Sequence, residues 1–295
     1  MRSPILGQID GLPEKFGKQF ALELFRKGNF CRHFEYGVKK AAEQKKISIP
    51  FYLSVCSEFN SAALSMVLPK IPIFAQHRCH SLYLNFGGKP ELLRDELLGL
   101  PSGLCGGRAG SNAFHCPSIN MFGHSGLMGE QVPIAVGAAF ASNKPVLTIC
   151  GDASVEEDYI YPALGWAATR NLPVLFVCED NNLSILTKVA VRRNWSSVAV
   201  AQSLGMFGVD ITDDPWLIAY YAKQILDSEK PGFMNIHTVR LFWHAGTGMD
   251  GEPEWDRYAI IVDKLKMLGI SENELDAIDC INKETAENIW QAQQY

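Results

Sequence analysis

Apolar positions in this chain follow two rhythms. "KPVLTIC" (144–150), "LPVLFVCE" (172–179) and "GFMNIHTVR" (232–240) are nearly continuous apolar runs, too short for helices. Between them, the stretch up to Arg170 and "PWLIAYYAKQILDS" (215–228) carry a helical spacing. Short strands without a polar face must be buried on both sides. Alternating with helices, they predict an α/β fold: a parallel β-sheet sandwiched by helices.

The flanks read as helices. Residues 13–46 place Phe16, Phe20, Leu24 and Phe34 near helical spacing. In "SEFNSAALSMVL", Ser57 is a candidate helix cap. "KPELLRDELLG" is a short amphipathic helix that Gly99 stops. "EQVPIAVGAAFAS" reads as a helix in which Val136, Gly137, Ala138 and Ala139 permit close approach. From Asp256 onward the chain is helical again, with Ser271 and Glu274 in capping-box spacing. Residues 101–129, rich in Gly, Ser and Asn, show neither rhythm and are expected to form an ordered binding loop. The expected organisation is a single domain over 1–295 with helical extensions at 1–46 and 256–295.

Composition narrows the partners. The formal charge of −5 on 295 residues, without a basic tail, disfavours nucleic acid or an anionic membrane. "MRSPILGQIDGLPEKFG" lacks the apolar core of a signal peptide, and no apolar run has membrane-spanning length. The eight cysteines include no Cys-x-x-Cys pair, which suggests a reducing, cytoplasmic setting. Cys150 and Cys178 read as small core residues of two strands.

The chemistry lies where two of those strands end. The first delivers Gly151, Asp152, Ala153 and Ser154 to the sheet edge, and the second delivers Glu179, Asp180, Asn181 and Asn182. Ligands of open parallel sheets bind at that edge. Small residues let an anion approach backbone N–H groups at a helix start. Asp152 would repel a phosphate unless a divalent cation lay between them. Carboxylate, amide, carbonyl and phosphate oxygens make the hard shell that Mg²⁺ prefers. Each cluster alone is a common turn; two on successive strands are harder to ascribe to chance. A dinucleotide-binding dehydrogenase is disfavoured, because no Gly-x-Gly-x-x-Gly follows a strand.

This stretch resembles the thiamine-diphosphate motif, which begins with Gly-Asp-Gly and ends in an Asn pair. Within that superfamily the chain is most similar to the alpha subunit of the decarboxylating component of 2-oxo acid dehydrogenases. Other segments carry the resemblance in order along the chain: "CRHFEYGVKKAAEQKKI", "FYLSVCSEFNSAAL", "QHRCH", "GGRAGS", "GHSGLMGEQVPIAVGAAFA", "HTVRLFWHAGTGMD" and "LGISENELDAI". The resemblance implies that Asp152, Asn181 and the Leu183 carbonyl bind Mg²⁺. It implies a diphosphate near Arg78, Gly151, Ala153 and Ser154. Met128 would wedge the bent cofactor, and Gly126 would face its aminopyrimidine ring. His77 takes the place of an aromatic residue beside the cofactor. His244 matches a histidine of the family's active-site loop, and His80 the histidine of its Arg-x-His element; both are implied catalytic candidates. Departures from the pattern are Ala153 for a glycine, Ala113 for a histidine, and Pro162 for a glutamate. Pro162 predicts a late helix start.

By the same resemblance, the chain forms a carbanion intermediate on thiamine diphosphate from a 2-oxo acid. It then transfers the acyl group to a lipoyl carrier protein. The glutamate that activates the cofactor would come from a separate beta-type subunit in an α₂β₂ assembly. Two alternatives stay open: a carboligase or split transketolase-like enzyme joining an aldehyde or sugar, and a non-catalytic cofactor-binding scaffold.

Overall fold

The computed structural model describes residues 9–123 and 125–292. The ends of both expected extensions, and His124 within the glycine-rich segment, lie outside the described residues.

Strands β1 (Ile73–Phe74), β2 (Met121–Phe122), β3 (Val146–Gly151), β4 (Val174–Asp180), β7 (Phe207–Thr212) and β8 (Gly232–His237) form one sheet. Its order is β2-β1-β3-β4-β8-β7, and every neighbouring pair is parallel. A separate antiparallel pair joins β5 (Leu183–Ser184) to β6 (Thr187–Lys188). Both faces of the sheet are buried, as continuous apolar strands require. Leu147, Ile149, Leu175 and Val177 face one core. Val146, Cys150, Val174, Phe176 and Cys178 face the other.

The first core is closed by α1 (Leu12–Glu43), α2 (Glu58–Val67), α3 (His80–Asn85), α4 (Pro90–Leu97) and α9 (Pro215–Ser228). The second is closed by α5 (Gln131–Ser142), α6 (Ile160–Arg170) and α8 (Ser197–Ser203). The chain continues through α7 (Val189–Arg192), α10 (Arg257–Met267) and α11 (Glu272–Gln291). Helix α11 lies against α1, with the Trp290 indole donating to the Phe34 carbonyl at 3.2 Å.

Local chemistry accounts for the boundaries. Pro215 opens α9 while the Asp214 carboxylate accepts from the N–H groups of Trp216 and Leu217. The capping box at α11 is present in full: the Ser271 hydroxyl accepts from the Glu274 N–H, and Glu274 accepts from the Ser271 N–H. Helix α6 starts late, at Ile160, so Pro162 falls in its first turn, where a missing N–H costs little.

Several expectations are corrected. Helix α1 ends at Glu43 rather than 46, and at Gly17 its backbone leaves the helical region (φ 78°, ψ 171°). Ser57 precedes α2 without a side-chain cap. In α5 it is Val132, Ala135, Val136 and Ala139 that meet the core. A Cβ at Gly137 would meet nothing within 4 Å, so no close approach occurs there.

Within the glycine-rich segment, residues 105–110 gather around a carboxylate. Glu96, at the end of α4, is fully buried. Its Oε2 accepts from the N–H groups of Cys105 and Gly107, and its Oε1 from those of Ala109 and Gly110, at 2.6–3.2 Å. Of the described residues in 101–129, only Met128 lines the cavity described next.

Candidate active site

Parallel register brings the two polar clusters together. Cys150 pairs with Cys178 and Gly151 with Glu179, so the turns after β3 and β4 leave the sheet side by side. A cavity of about 180 Å³ opens there. Ten of the sequence-predicted residues line it: His77, Arg78, Met128, Gly151, Asp152, Ala153, Ser154, Asn181, Leu183 and His244. Gly126 is exposed and does not line it.

His80 does not belong to the site either. It is fully buried at the start of α3 and does not line the cavity. Its Nδ1 lies 2.8 Å from Glu35 Oε1 and its Nε2 2.6 Å from Ser111 Oγ. It ties α1 to the glycine-rich segment and stands outside the cavity, whereas the resemblance implied a catalytic place for it.

Two guanidiniums share the cavity wall. Arg78 donates to the carbonyls of Leu53 (2.5 Å) and His244 (3.3 Å). Arg240 is held by Asp250 and donates to the Ile185 carbonyl at 2.7 Å. Burial, and then repulsion from Arg240, pull the Arg78 pKa down to about 10. Arg240 Nη1 and the Ser154 hydroxyl are both buried without a hydrogen-bond partner in the protein. Orphaned buried donors of this kind call for an acceptor. The wall is therefore a cationic cradle whose unmet donors suit a diphosphate.

Three rings stand over the cradle. Tyr52 meets His77 (centroids 4.6 Å apart) and His244 (5.1 Å), and the two histidines are 5.3 Å apart. The His244 loop is closed by a bridge between Phe242 and Met249. Burial, then Arg78 and Arg240, push the His244 pKa down to about 4. Because the folded state resists this proton more than the unfolded chain does, His244 subtracts stability as pH falls from its ordinary value of 6.5 towards 4. A ring-proton NMR titration should give a midpoint near 4, rising when an anion fills the cradle. A midpoint near 6.5 would mean that the two cations do not act on it.

Sequence reasoning gave no role to Glu179, Gln76 or Arg240, although all three line the cavity. Burial lifts the Glu179 pKa to about 7, while Gln76 (2.7 Å) and Asn60 (3.3 Å) donate to its carboxylate. The signal for Arg240 was present: it lies three residues past the end of β8, in the same segment as His244.

The metal side is more guarded. Among the described residues no group of three or more His, Cys, Asp or Glu side chains is placed to hold a metal. Asp152 and Asn181 offer a carboxylate and an amide oxygen, a hard donor set that suits Mg²⁺ once phosphate oxygens are added. Asp152 Oδ2, however, accepts from Arg192 Nη2 at 2.5 Å. Asn181 Oδ1 accepts from the Leu183 N–H at 3.1 Å. Asp180 turns away from the cavity to His237, 3.2 Å from its Nδ1.

The model of the family described as "Dehydrogenase E1 component" matches residues 37–254. The chain belongs to that family. This bears out the resemblance read from the sequence. The E1-family chain is 29% identical over 191 residues to the pyruvate dehydrogenase E1 component subunit alpha of Rickettsia prowazekii, covering 62% of this chain and 58% of that one. It is 30% identical over 135 residues to the mitochondrial pyruvate dehydrogenase E1 component subunit alpha of Chaetomium thermophilum, covering 44% and 32%. The matches thus span from about a third to under two thirds of the relatives' own lengths. An X-ray structure of a candidate thiamin diphosphate-dependent enzyme from Mycobacterium smegmatis aligns with 65% of this chain and 33% of its own, at 19% identity and a TM-score of 0.44. That likeness is too weak to bear on the site.

Proposed function

We propose that this chain is the diphosphate-binding alpha-type subunit of a thiamine-diphosphate- and Mg²⁺-dependent 2-oxo acid dehydrogenase, active with a beta-type subunit. The observation that carries the reading is the cradle beside the ends of β3 and β4, where Arg78 meets Arg240 and Ser154, and where Arg240 Nη1 and the Ser154 hydroxyl have no partner in the protein. Held there, thiamine diphosphate would supply a nucleophilic carbon and a sink for developing negative charge.

The chain's own residues hold and orient that group. Arg78 and Arg240 neutralise the diphosphate, and the Ser154 hydroxyl donates to it. Asp152, Asn181 and the Leu183 carbonyl hold the Mg²⁺. Met128, whose carbonyl accepts from the Tyr159 hydroxyl, supports the cofactor from the side. His244, neutral at physiological pH, donates one hydrogen bond and accepts another near the reacting end.

A partner is supported by size. The cavity of about 180 Å³ is smaller than the few hundred Å³ typical of complete small-molecule pockets. Ile185 (59% exposed), which lines the cavity, and Leu127 (59%) and Trp243 (56%), each next to a lining residue, offer an apolar rim for a second chain to cover. That chain would bring the activating glutamate, completing an α₂β₂ enzyme that passes its acyl group to a lipoyl carrier. Eight free cysteines suit a reducing cytoplasm. No described helix is long and apolar enough to cross a membrane.

Calorimetry with thiamine diphosphate and Mg²⁺, with and without a beta-type subunit, tests this reading. Binding followed by acyl-lipoamide formation from a 2-oxo acid is the expected result. A new C–C bond instead would make the enzyme a carboligase. No binding in either condition would leave only a scaffold.

A further inference from the structure

Arg192 and Arg193 end the short α7 and reach back to the strand-end turn after β3. Arg192 Nη2 donates to Asp152 Oδ2 at 2.5 Å, its Nε to Glu156 Oε1 at 3.1 Å, and its Nη1 to the Thr187 carbonyl at 3.1 Å. Arg193 Nη1 donates to the Asp152 carbonyl and, at 2.7 Å, to Glu156 Oε1. The two guanidinium side chains are only 12% and 4% exposed, and that of Asp152 is 3% exposed. The carboxylate best placed to bind a metal already holds a cation.

The same segment carries Leu183. The chain runs from Leu183 through the β5–β6 hairpin into α7, and the Val189 N–H donates back to the Asn182 carbonyl (3.2 Å) and Oδ1 (3.3 Å). Arg192 and the Leu183 carbonyl thus belong to one small hydrogen-bonded unit at the metal side of the cavity.

We propose that Arg192 is a built-in counter-cation for Asp152, which Mg²⁺ displaces only when it arrives together with the diphosphate. This rests on the cofactor reading above. A tethered guanidinium is always at hand, whereas Mg²⁺ must first shed tightly held water. Like charges a few ångströms apart in a buried site cannot both stay on one carboxylate. Bare Mg²⁺ therefore gains too little from Asp152 and Asn181 to expel Arg192. With the diphosphate present, added phosphate oxygens and their negative charge reverse the balance. Arg192 is not stranded by the exchange, because Glu156 already accepts from its Nε. Linkage then makes Mg²⁺ and diphosphate binding mutually dependent.

The test uses the full chain, with its beta-type subunit added if binding requires it. Calorimetry measures the Mg²⁺ concentration at which thiamine diphosphate binding is half-maximal. In Arg192→Gln this concentration should fall by about tenfold or more, as expected for losing one charge-assisted competitor. In Arg192→Lys it should stay close to that of the unsubstituted chain. Thermal unfolding without ligands checks that both variants are folded. An unchanged or higher Mg²⁺ requirement in folded Arg192→Gln would overturn the proposal.

A second readout needs no destabilised variant. In the unsubstituted chain, the Arg192 Nε–H NMR signal should shift on adding Mg²⁺ with thiamine diphosphate, and not with Mg²⁺ alone. A signal unmoved at saturation would also overturn it. If the unsubstituted chain binds no cofactor at all, the cofactor reading itself fails, an outcome distinct from binding without Arg192 release.

Discussion

Arg78→Met should stabilise the cofactor-free chain while weakening its binding of thiamine diphosphate by about a hundredfold. The sign follows from the folded-state pKa. Burial and Arg240 hold Arg78 at about 10, below its ordinary value of 12.5, so the folded protein carries this charge at a cost. That cost is present in full at neutral pH and fades only above about pH 10. A neutral side chain of similar length removes it. The substitution also leaves the Leu53 carbonyl without its donor, which takes back part of the gain. The net effect is on the order of 1 kcal/mol, or a rise in melting temperature of about 2 °C. Scanning calorimetry and ligand titration measure the two quantities on one sample. A lower melting temperature together with intact cofactor affinity would show that Arg78 serves the fold and not the anion.

Arg32→Met should have the opposite character, with a large loss of stability and no change at the cradle. Arg32 is 4% exposed and joins three elements. Its Nε donates to Glu58 Oε1 at 2.5 Å, and its Nη1 and Nη2 reach the two oxygens of Asp256 at 2.9 and 2.7 Å. Asp256 also accepts from the Tyr258 N–H at the start of α10. Removing the cation strands two carboxylates, one fully buried, at a cost of about 3–5 kcal/mol. Burial already lifts the Glu58 pKa, so the orphaned group would take up a proton and the deficit should shrink at acidic pH. Adding Glu58→Met should recover part of the loss, since the desolvation cost then disappears with the pair. Urea unfolding of both variants at two pH values checks this. A double variant no better than the single one would count against the ion-pair account.

The sequence made the centre of the molecule readable and left its rim obscure. Strands β3, β4 and β8 were evident because a continuous apolar run has few other solutions. Strand β7 was missed: it lies at the sheet edge, half exposed, and Gly208 and Asp210 interrupt its pattern. Strands β1 and β2 have two residues each, too few to show a period. At the site, Gly151, Asp152, Ala153, Ser154, Asn181 and Leu183 come from the ends of β3 and β4, where register decides what meets, while His77, Arg78, Met128 and His244 arrive on other loops. His80 was misplaced because its spacing to Arg78 does not reveal that its ring is taken up by Glu35 and Ser111, which lie far away in the sequence. Arg192 was invisible for a different reason. Its partner Asp152 lies forty positions earlier in the chain, and the contact depends on how a hairpin and a one-turn helix fold back.

Glu96 has a consequence for the order in which the molecule assembles. The backbone donors of Cys105, Gly107, Ala109 and Gly110 all depend on a side chain delivered by α4. Nothing local to that glycine-rich stretch replaces it, so the stretch should stay unformed until α4 is docked. Contacts made after the rate-limiting step leave the folding rate almost untouched. Glu96→Gln should therefore accelerate unfolding far more than it slows folding in a stopped-flow comparison, and a slowed folding limb would place this segment in the nucleus.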